Sequence, residues 1–234
     1  MITTSDAYGL VIVYALILAT LSLYVLLKKR NVRIDRRKFI HILTGNFIFV
    51  WWLFESQLPM LIFFTIPFMV LLFLSAPDSK IEPLRRSIIG EASAKGHSYG
   101  LFFYAVSITV LVAFFFDHFI AASIGVVAMS YGDGFGSIVG KRFGRRPVHG
   151  KKTLEGSLGV FTATFVMSLV VLTFYSFIID QGLYASLFTG NLHPVLVALI
   201  AGAFTAIVEL YSPGEYDNLI IPISVAILMV FLGF

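Results

Sequence analysis

Cysteine is absent from the chain, which excludes disulfides, thiolate metal sites and a thiol nucleophile. Charge is scarce too: only 13% of the 234 residues are Asp, Glu, Lys or Arg, against 58% hydrophobic, with a mean hydropathy of +0.91. So little polar surface cannot cover a soluble domain of this size, and the composition marks a membrane protein. Basic residues are missing from every second connection. All 17 Lys and Arg fall within 28–38 (seven), 77–98 (four) and 141–156 (six). No internal repeat or low-complexity segment stands out, and no connection is long enough for a second soluble domain.

What is present is a series of apolar runs, at 8–27, 39–54, 58–76, 99–116, 119–140, 157–179, 194–210 and 218–234. At roughly 20 residues per helical crossing, they predict an all-α, polytopic transmembrane helical bundle of about eight spans, one integral-membrane domain over residues 1–234. The first run follows Asp6, has no basic residue before it and lacks a small-residue cleavage site, so it is expected to remain as a helix. The positive-inside rule puts the three basic connections on the cytoplasmic side and both termini outside. The acidic connection 211–217 (YSPGEYD) then also faces inward. Basic residues beside membrane spans follow topology or meet anionic headgroups, so the sequence pI near 9.3 is not read as a sign of nucleic acid binding.

Four inner-face segments carry the polar chemistry. In SYGDGFGSIVGK, residues 130–141, Gly132, Gly136 and Gly140 recur every fourth position, a stripe suited to close helix packing. The same period places Asp133, Ser137 and Lys141 on an adjacent strip. A carboxylate within a span costs roughly 2.5–3.5 kcal/mol at mid-depth and less toward the interface, which singles out Asp133 as a site residue. The segment is one residue too long for a dinucleotide fingerprint and follows a helix instead of a strand. The next stretch, KRFGRRPVHGKKTLEGS, is not a Walker A loop: Gly144 stands six positions before Gly150, and Lys152 intervenes between Lys151 and Thr153. It nonetheless offers flexible glycines at Gly150 and Gly156, cations for phosphate at Lys151 and Lys152, and a hydroxyl and a carboxylate, Thr153 and Glu155, for a magnesium ion. Arg142, Arg145 and Arg146 read equally well as topology anchors.

In RRKFIHILTGN, Lys38 and His41 lie one turn apart on a shared face. His97, His118, His149 and His193 have no comparable company. In IVELYSPGEYDNLIIPI, Glu209 closes the seventh run while Asp217 and Asn218 open the eighth, supplying oxygen ligands of the kind magnesium takes beside substrate phosphates. Topology gathers these segments on one side of the membrane, at headgroup level.

RRKFIH, GDGFGSIVGKRFG followed by GKKTLEGS, and a glutamate followed by DNLIIP occur in that order across residues 36–222. The combination resembles the polyprenol kinase family: dolichol kinases, phytol kinases and CTP-dependent diacylglycerol kinases. The resemblance implies transfer of the γ-phosphoryl group of CTP to the hydroxyl of a membrane lipid alcohol, with Mg2+, at the cytoplasmic face. It implicates Asp133, Ser137, Lys151, Lys152, Thr153, Glu155, Gly156 and Ser157 in the nucleotide and catalytic region, with Lys38, His41, Glu209, Asp217 and Asn218 around it. On this reading Asp133, His41 and Lys38 are the catalytic candidates. Ser137, Lys141, Gly150, Lys151, Lys152, Thr153, Gly156 and Ser157 hold the nucleotide, and Glu155, Glu209, Asp217 and Asn218 hold the metal. Gly134 stands where the family carries a small polar residue. The short chain implies a prokaryotic or archaeal member in the cell membrane. A lipid cytidylyltransferase would also place CTP and metal at the inner face. A transporter for an anionic solute would instead put its binding residues near mid-membrane between repeated halves.

Overall fold

The computed structural model describes residues 2–32, 36–93, 99–184 and 192–234, so His97 lies outside the described residues. The fold is helical. Five helices are long and apolar enough to cross a membrane: α1 (Thr4–Lys29), α3 (Gln57–Leu74), α5 (Phe116–Phe143), α6 (Leu154–Asp180) and α7 (Pro194–Tyr211). Three shorter apolar helices occupy the other expected runs: α2 (Arg36–Thr44), which runs on as a 3-10 segment Gly45–Leu53, α4 (Gly100–Phe114) and α8 (Asp217–Phe231). Every apolar run of the sequence is thus a helix, and the only described strands are a short pair in the polar connection before α6. The chain divides into two compact units, residues 1–114 with 214–219, and residues 115–213 with 220–234.

In the first unit α1 opens with a capping box. Thr3 accepts from the Asp6 main-chain N–H, and the Asp6 carboxylate accepts from Thr3 N at 2.9 Å, satisfying helix-end donors that the apolar run could not. Asp6 is fully buried because its other oxygen accepts from Glu55 N at 3.0 Å, tying the start of α1 to the end of the 3-10 segment. Helix α3 contains Pro67, which lacks the N–H that would bond the carbonyl four residues earlier. That carbonyl, Phe63 O, accepts instead from the Tyr14 hydroxyl of α1, and the winding loosens to a π turn at Leu61–Thr65. In lipid every such carbonyl needs a partner. Phe47, Ile48, Trp51 and Phe54 are buried around this region.

In the second unit α5 is the central element: 89% of its spanning window is buried, against 22–33% for the other four long helices. It is also the richest of the long helices in small and polar residues, and Ser123, Gly125, Ser130, Gly132 and Asp133 all lie inside. A span that carries such groups faces protein rather than lipid. Glycine permits the close contacts around it. A Cβ on Gly136 would stand 2.2 Å from Val160 Cγ2 of α6, and one on Gly125 only 2.4 Å from Pro222 O of α8. The stripe at Gly132, Gly136 and Gly140 therefore does what its four-residue spacing implies, bringing α5 against Thr164, Val160 and Gly156 of α6.

Candidate active site

Within the second unit the polar line on α5 runs from the core outward. Asp133 is 5% exposed, Ser137 half-buried and Lys141 exposed. Asp133 closes a π turn, Ala128–Asp133, after which α winding resumes at Gly134. A π turn re-aims the residues that follow it and recurs at functional sites; nothing in the residue spacing signals this one.

Beyond Lys141 the connection folds into a small antiparallel hairpin, β1 (Pro147–His149) with β2 (Lys152–Thr153), turned by Gly150 at φ +55°. A side chain at that backbone angle would be strained, so the glycine belongs to the turn. The hairpin is laced to the start of α6. Thr153 caps the helix, its Oγ1 accepting from Gly156 N at 3.2 Å, and Arg146 O accepts from Leu154 N at 2.9 Å. Glu155 Oε2 accepts from the main-chain N–H groups of Arg145 (3.0 Å) and Arg146 (3.2 Å). The result is an exposed basic surface formed by Lys141, Arg142, Arg145, Arg146 and Lys151, standing over a helix N-terminus whose dipole favours anions. Ser157 Oγ, in the first turn of α6, is buried and has no hydrogen-bond partner among the described residues.

Lys152 leaves the exposed group. Its Nζ lies 2.5 Å from both the Oε1 and the main-chain oxygen of Glu209, at the end of α7. Glu209 is 9% exposed, and the pair fastens the hairpin to α7. Lys152, expected on phosphate, and Glu209, expected on metal, thus meet each other, a pairing that residue spacing does not signal. The hairpin also puts the His149 ring 5.3 Å from that of Tyr211, a contact with no signal in the spacing. His118 and His193 serve locally. His118 Nδ1 is 3.1 Å from Phe234 O, and His193 Nδ1 accepts from Val195 N as it caps α7.

The remaining candidates belong to the first unit. On α2, Lys38 is 8% exposed and His41 fully buried, with its ring 4.4 Å from the Tyr104 ring of α4. The Tyr104 hydroxyl donates to His41 O at 3.0 Å. Asp217 stands in the first turn of α8. Asn218 is fully buried, and its Nδ2 donates to Gly100 O at 3.0 Å while Oδ1 has no partner among the described residues. Among the described residues no three or more His, Asp or Glu side chains stand together as a metal cage. Within the second unit Glu155 and Glu209 are both bonded to the hairpin, and one or two carboxylates beside substrate phosphates and water are what a magnesium ion commonly takes.

A buried carboxylate on an enclosed span, a basic hairpin at a helix N-terminus and an acid–lysine pair thus fall within one unit of a chain with five membrane-crossing helices by length and composition. Comparison with proteins of known activity narrows this class. The chain is 32% identical over 204 residues to a phytol kinase of Synechocystis sp. (strain ATCC 27184 / PCC 6803 / Kazusa), covering 82% of this chain and 76% of that protein. It is 30% identical over 213 residues to a probable chloroplastic phytol kinase of Triticum aestivum (85% and 67%), and 28% identical over 205 residues to a chloroplastic farnesol kinase of Arabidopsis thaliana (82% and 63%). No family model and no solved structure matches. The chain belongs to the polyprenol kinase family, and it is a phosphotransferase acting on a lipid alcohol.

Proposed function

We propose that the protein crosses the membrane eight times and transfers the γ-phosphoryl group of CTP to the hydroxyl of an isoprenoid alcohol, of the phytol or farnesol class, at the cytoplasmic face of the cell membrane. The observation that carries the phosphate part is the basic hairpin held over the N-terminus of α6 by Glu155 and by the Lys152–Glu209 pair. The alcohol class rests on the relatives, phytol and farnesol kinases. CTP as donor rests on the family resemblance, and the cytoplasmic face on the distribution of basic residues.

Phosphoryl transfer asks for in-line placement of donor and acceptor and for neutralisation of charge on the transferring group. Lys151, Lys152, Lys141 and main-chain N–H groups of the hairpin, with Thr153, Gly150, Gly156 and Ser157 shaping it, hold the triphosphate. Asp133, with Ser137 one turn on, orients the acceptor hydroxyl and takes its proton. As the acceptor oxygen bonds to the γ-phosphorus, the bridge to the β-phosphate breaks, giving a lipid monophosphate and CDP. Magnesium, held by Glu209 and Glu155 with nucleotide oxygens, would spread the charge of the phosphates. Lys38 and His41 as catalytic residues, and Asp217 and Asn218 as metal ligands, are assignments made on resemblance, each tested by its own substitution.

The decisive experiment incubates membranes containing the protein with a panel of lipid alcohols and CTP labelled in the γ or the α position. Label entering lipid from the γ position only is the expected result. Entry from the α position would make the protein a cytidylyltransferase and overturn the proposal. Parallel reactions with γ-labelled ATP, UTP and GTP test the choice of donor.

A further inference from the structure

The first unit contains an apolar cavity of about 70 Å³, room for on the order of five to seven water molecules. Its walls come from α1, α2, α3 and α4, with Val13, Ile17, Phe64, Leu101, Ala105 and Ile108 among them. Along α1 the lining extends from Val13 to Leu21, roughly 12 Å at 1.5 Å per residue, so the space is elongated. Water has little to bond to there, and an apolar cavity of this size stays dry and takes an apolar guest. Two of its walls depart from α geometry at the cavity. Helix α2 tightens to 3-10 winding from Gly45, directly after Thr44, and α3 loosens to the π turn that holds Phe64 and Thr65. Departures of this kind recur at functional sites, and here both border the same slot.

We infer that this cavity binds the hydrocarbon chain of the isoprenoid alcohol next to its hydroxyl group. The inference rests on the kinase reading above for the identity of the guest. Helix α2 sets the direction. Thr44 lines the cavity, its hydroxyl donating to Ile40 O at 2.7 Å and lying 3.3 Å from the Tyr104 hydroxyl, so two hydroxyls mark one end of an otherwise apolar wall. His41 and then Lys38 follow on the turns before it, so the polar end of the guest lies toward His41 and its chain toward Phe64. Ala105, on α4, is the smallest side chain on the wall and sets how bulky a chain the slot accepts.

The test uses the full-length protein in lipid nanodiscs. A diazirine-bearing farnesol analogue is photolysed with the protein, and labelled peptides are mapped by mass spectrometry. Label within the wall segments 13–21, 40–47, 64–72 and 101–108, competed by unlabelled farnesol, is expected; label confined to segments outside the cavity wall overturns the inference. Ala105→Phe should raise KM for farnesol about tenfold, the discrimination that one or two methylene groups command in a shaped pocket, while KM for the nucleotide stays within twofold. Because Phe at this position risks misfolding, Ala105→Val and Thr65→Val are measured alongside. Thr65→Val removes the hydroxyl beside Phe64, so a hydrocarbon chain lying there binds as well or better, whereas a tenfold loss would mean that a polar head sits there and would overturn the orientation. Cross-linking needs no turnover, so a protein that takes label in the cavity yet phosphorylates no alcohol would sink the kinase reading separately.

Discussion

Lys152 Nζ closes on Glu209 across 57 positions of sequence, 2.5 Å from one carboxylate oxygen and equally close to the main-chain oxygen of the same residue. Neither side chain is exposed enough to be discounted as a solvated ion pair: the lysine side chain is 27% and the glutamate 11% exposed. The bond fixes the hairpin at one point and leaves its other cations outward, so a single contact both shapes the loop and brings a carboxylate to it. Removing either partner should lower kcat/KM by about 10²–10³-fold, the scale seen when one charged or hydrogen-bonding group is taken from a transition-state site. The exchanged pair, Lys152→Glu with Glu209→Lys, restores the bond but not the chemistry. Recovered thermal stability without recovered transfer in a labelled-nucleotide assay is the expected outcome.

Asp133 is buried at the end of the π turn, and asparagine matches it in shape. Asp133→Asn should therefore leave the detergent-solubilised melting temperature within a few degrees of the parent and reduce transfer by about 10²–10⁴-fold, the contribution of a positioned general base. Transfer at the parental rate would remove Asp133 from the reaction.

Gly136 has no room for a methyl group, with Val160 Cγ2 2.2 Å from where it would stand. Gly136→Ala should destabilise by about 1–3 kcal/mol, as overpacking does. Val160→Ala in the same chain should recover most of that loss, because it removes the atoms that collide. Thermal denaturation of the two single variants and the double variant measures the coupling directly.

Glu155 holds the main-chain N–H groups of Arg145 and Arg146 at the start of α6, beside the single bond from Leu154 N to Arg146 O. Glu155→Ala should loosen the segment from Gly144 to Lys151, seen as faster tryptic cleavage after Arg145 and Lys151 and as a raised KM for the nucleotide. Cleavage rates equal to the parent's would show that the hairpin does not depend on this carboxylate.

Much of the fold could be read from residue order alone, because hydropathy and spacing are local properties. The eight apolar runs are eight helices, and the glycines at four-residue intervals lie where α5 meets α6. The polar candidates on α5 and in the hairpin also fall together in one unit. What could not be read is how partners choose each other at long range. Lys152 with Glu209 and His149 with Tyr211 are pairings between segments that no periodicity connects. The π turns and the 3-10 stretch were equally hidden, since GNFIFVWWL and AMSYGD contain nothing that distinguishes them from ordinary helix. Pro67 is the exception in hindsight: it strands Phe63 O, and the Tyr14 hydroxyl answers it.

The enclosure of α5 bears on how the protein is made. This helix, with its serines, glycines and Asp133, is sheltered over 89% of its spanning window, yet it leaves the ribosome before α6, α7 and α8, which pack against it. Facing lipid alone, its buried carboxylate would carry a penalty of roughly 2.5–3.5 kcal/mol, so α5 should linger at the translocon until its neighbours emerge. A nascent chain cut short after Phe143 is expected to integrate poorly, and one extended through Phe231 to integrate fully.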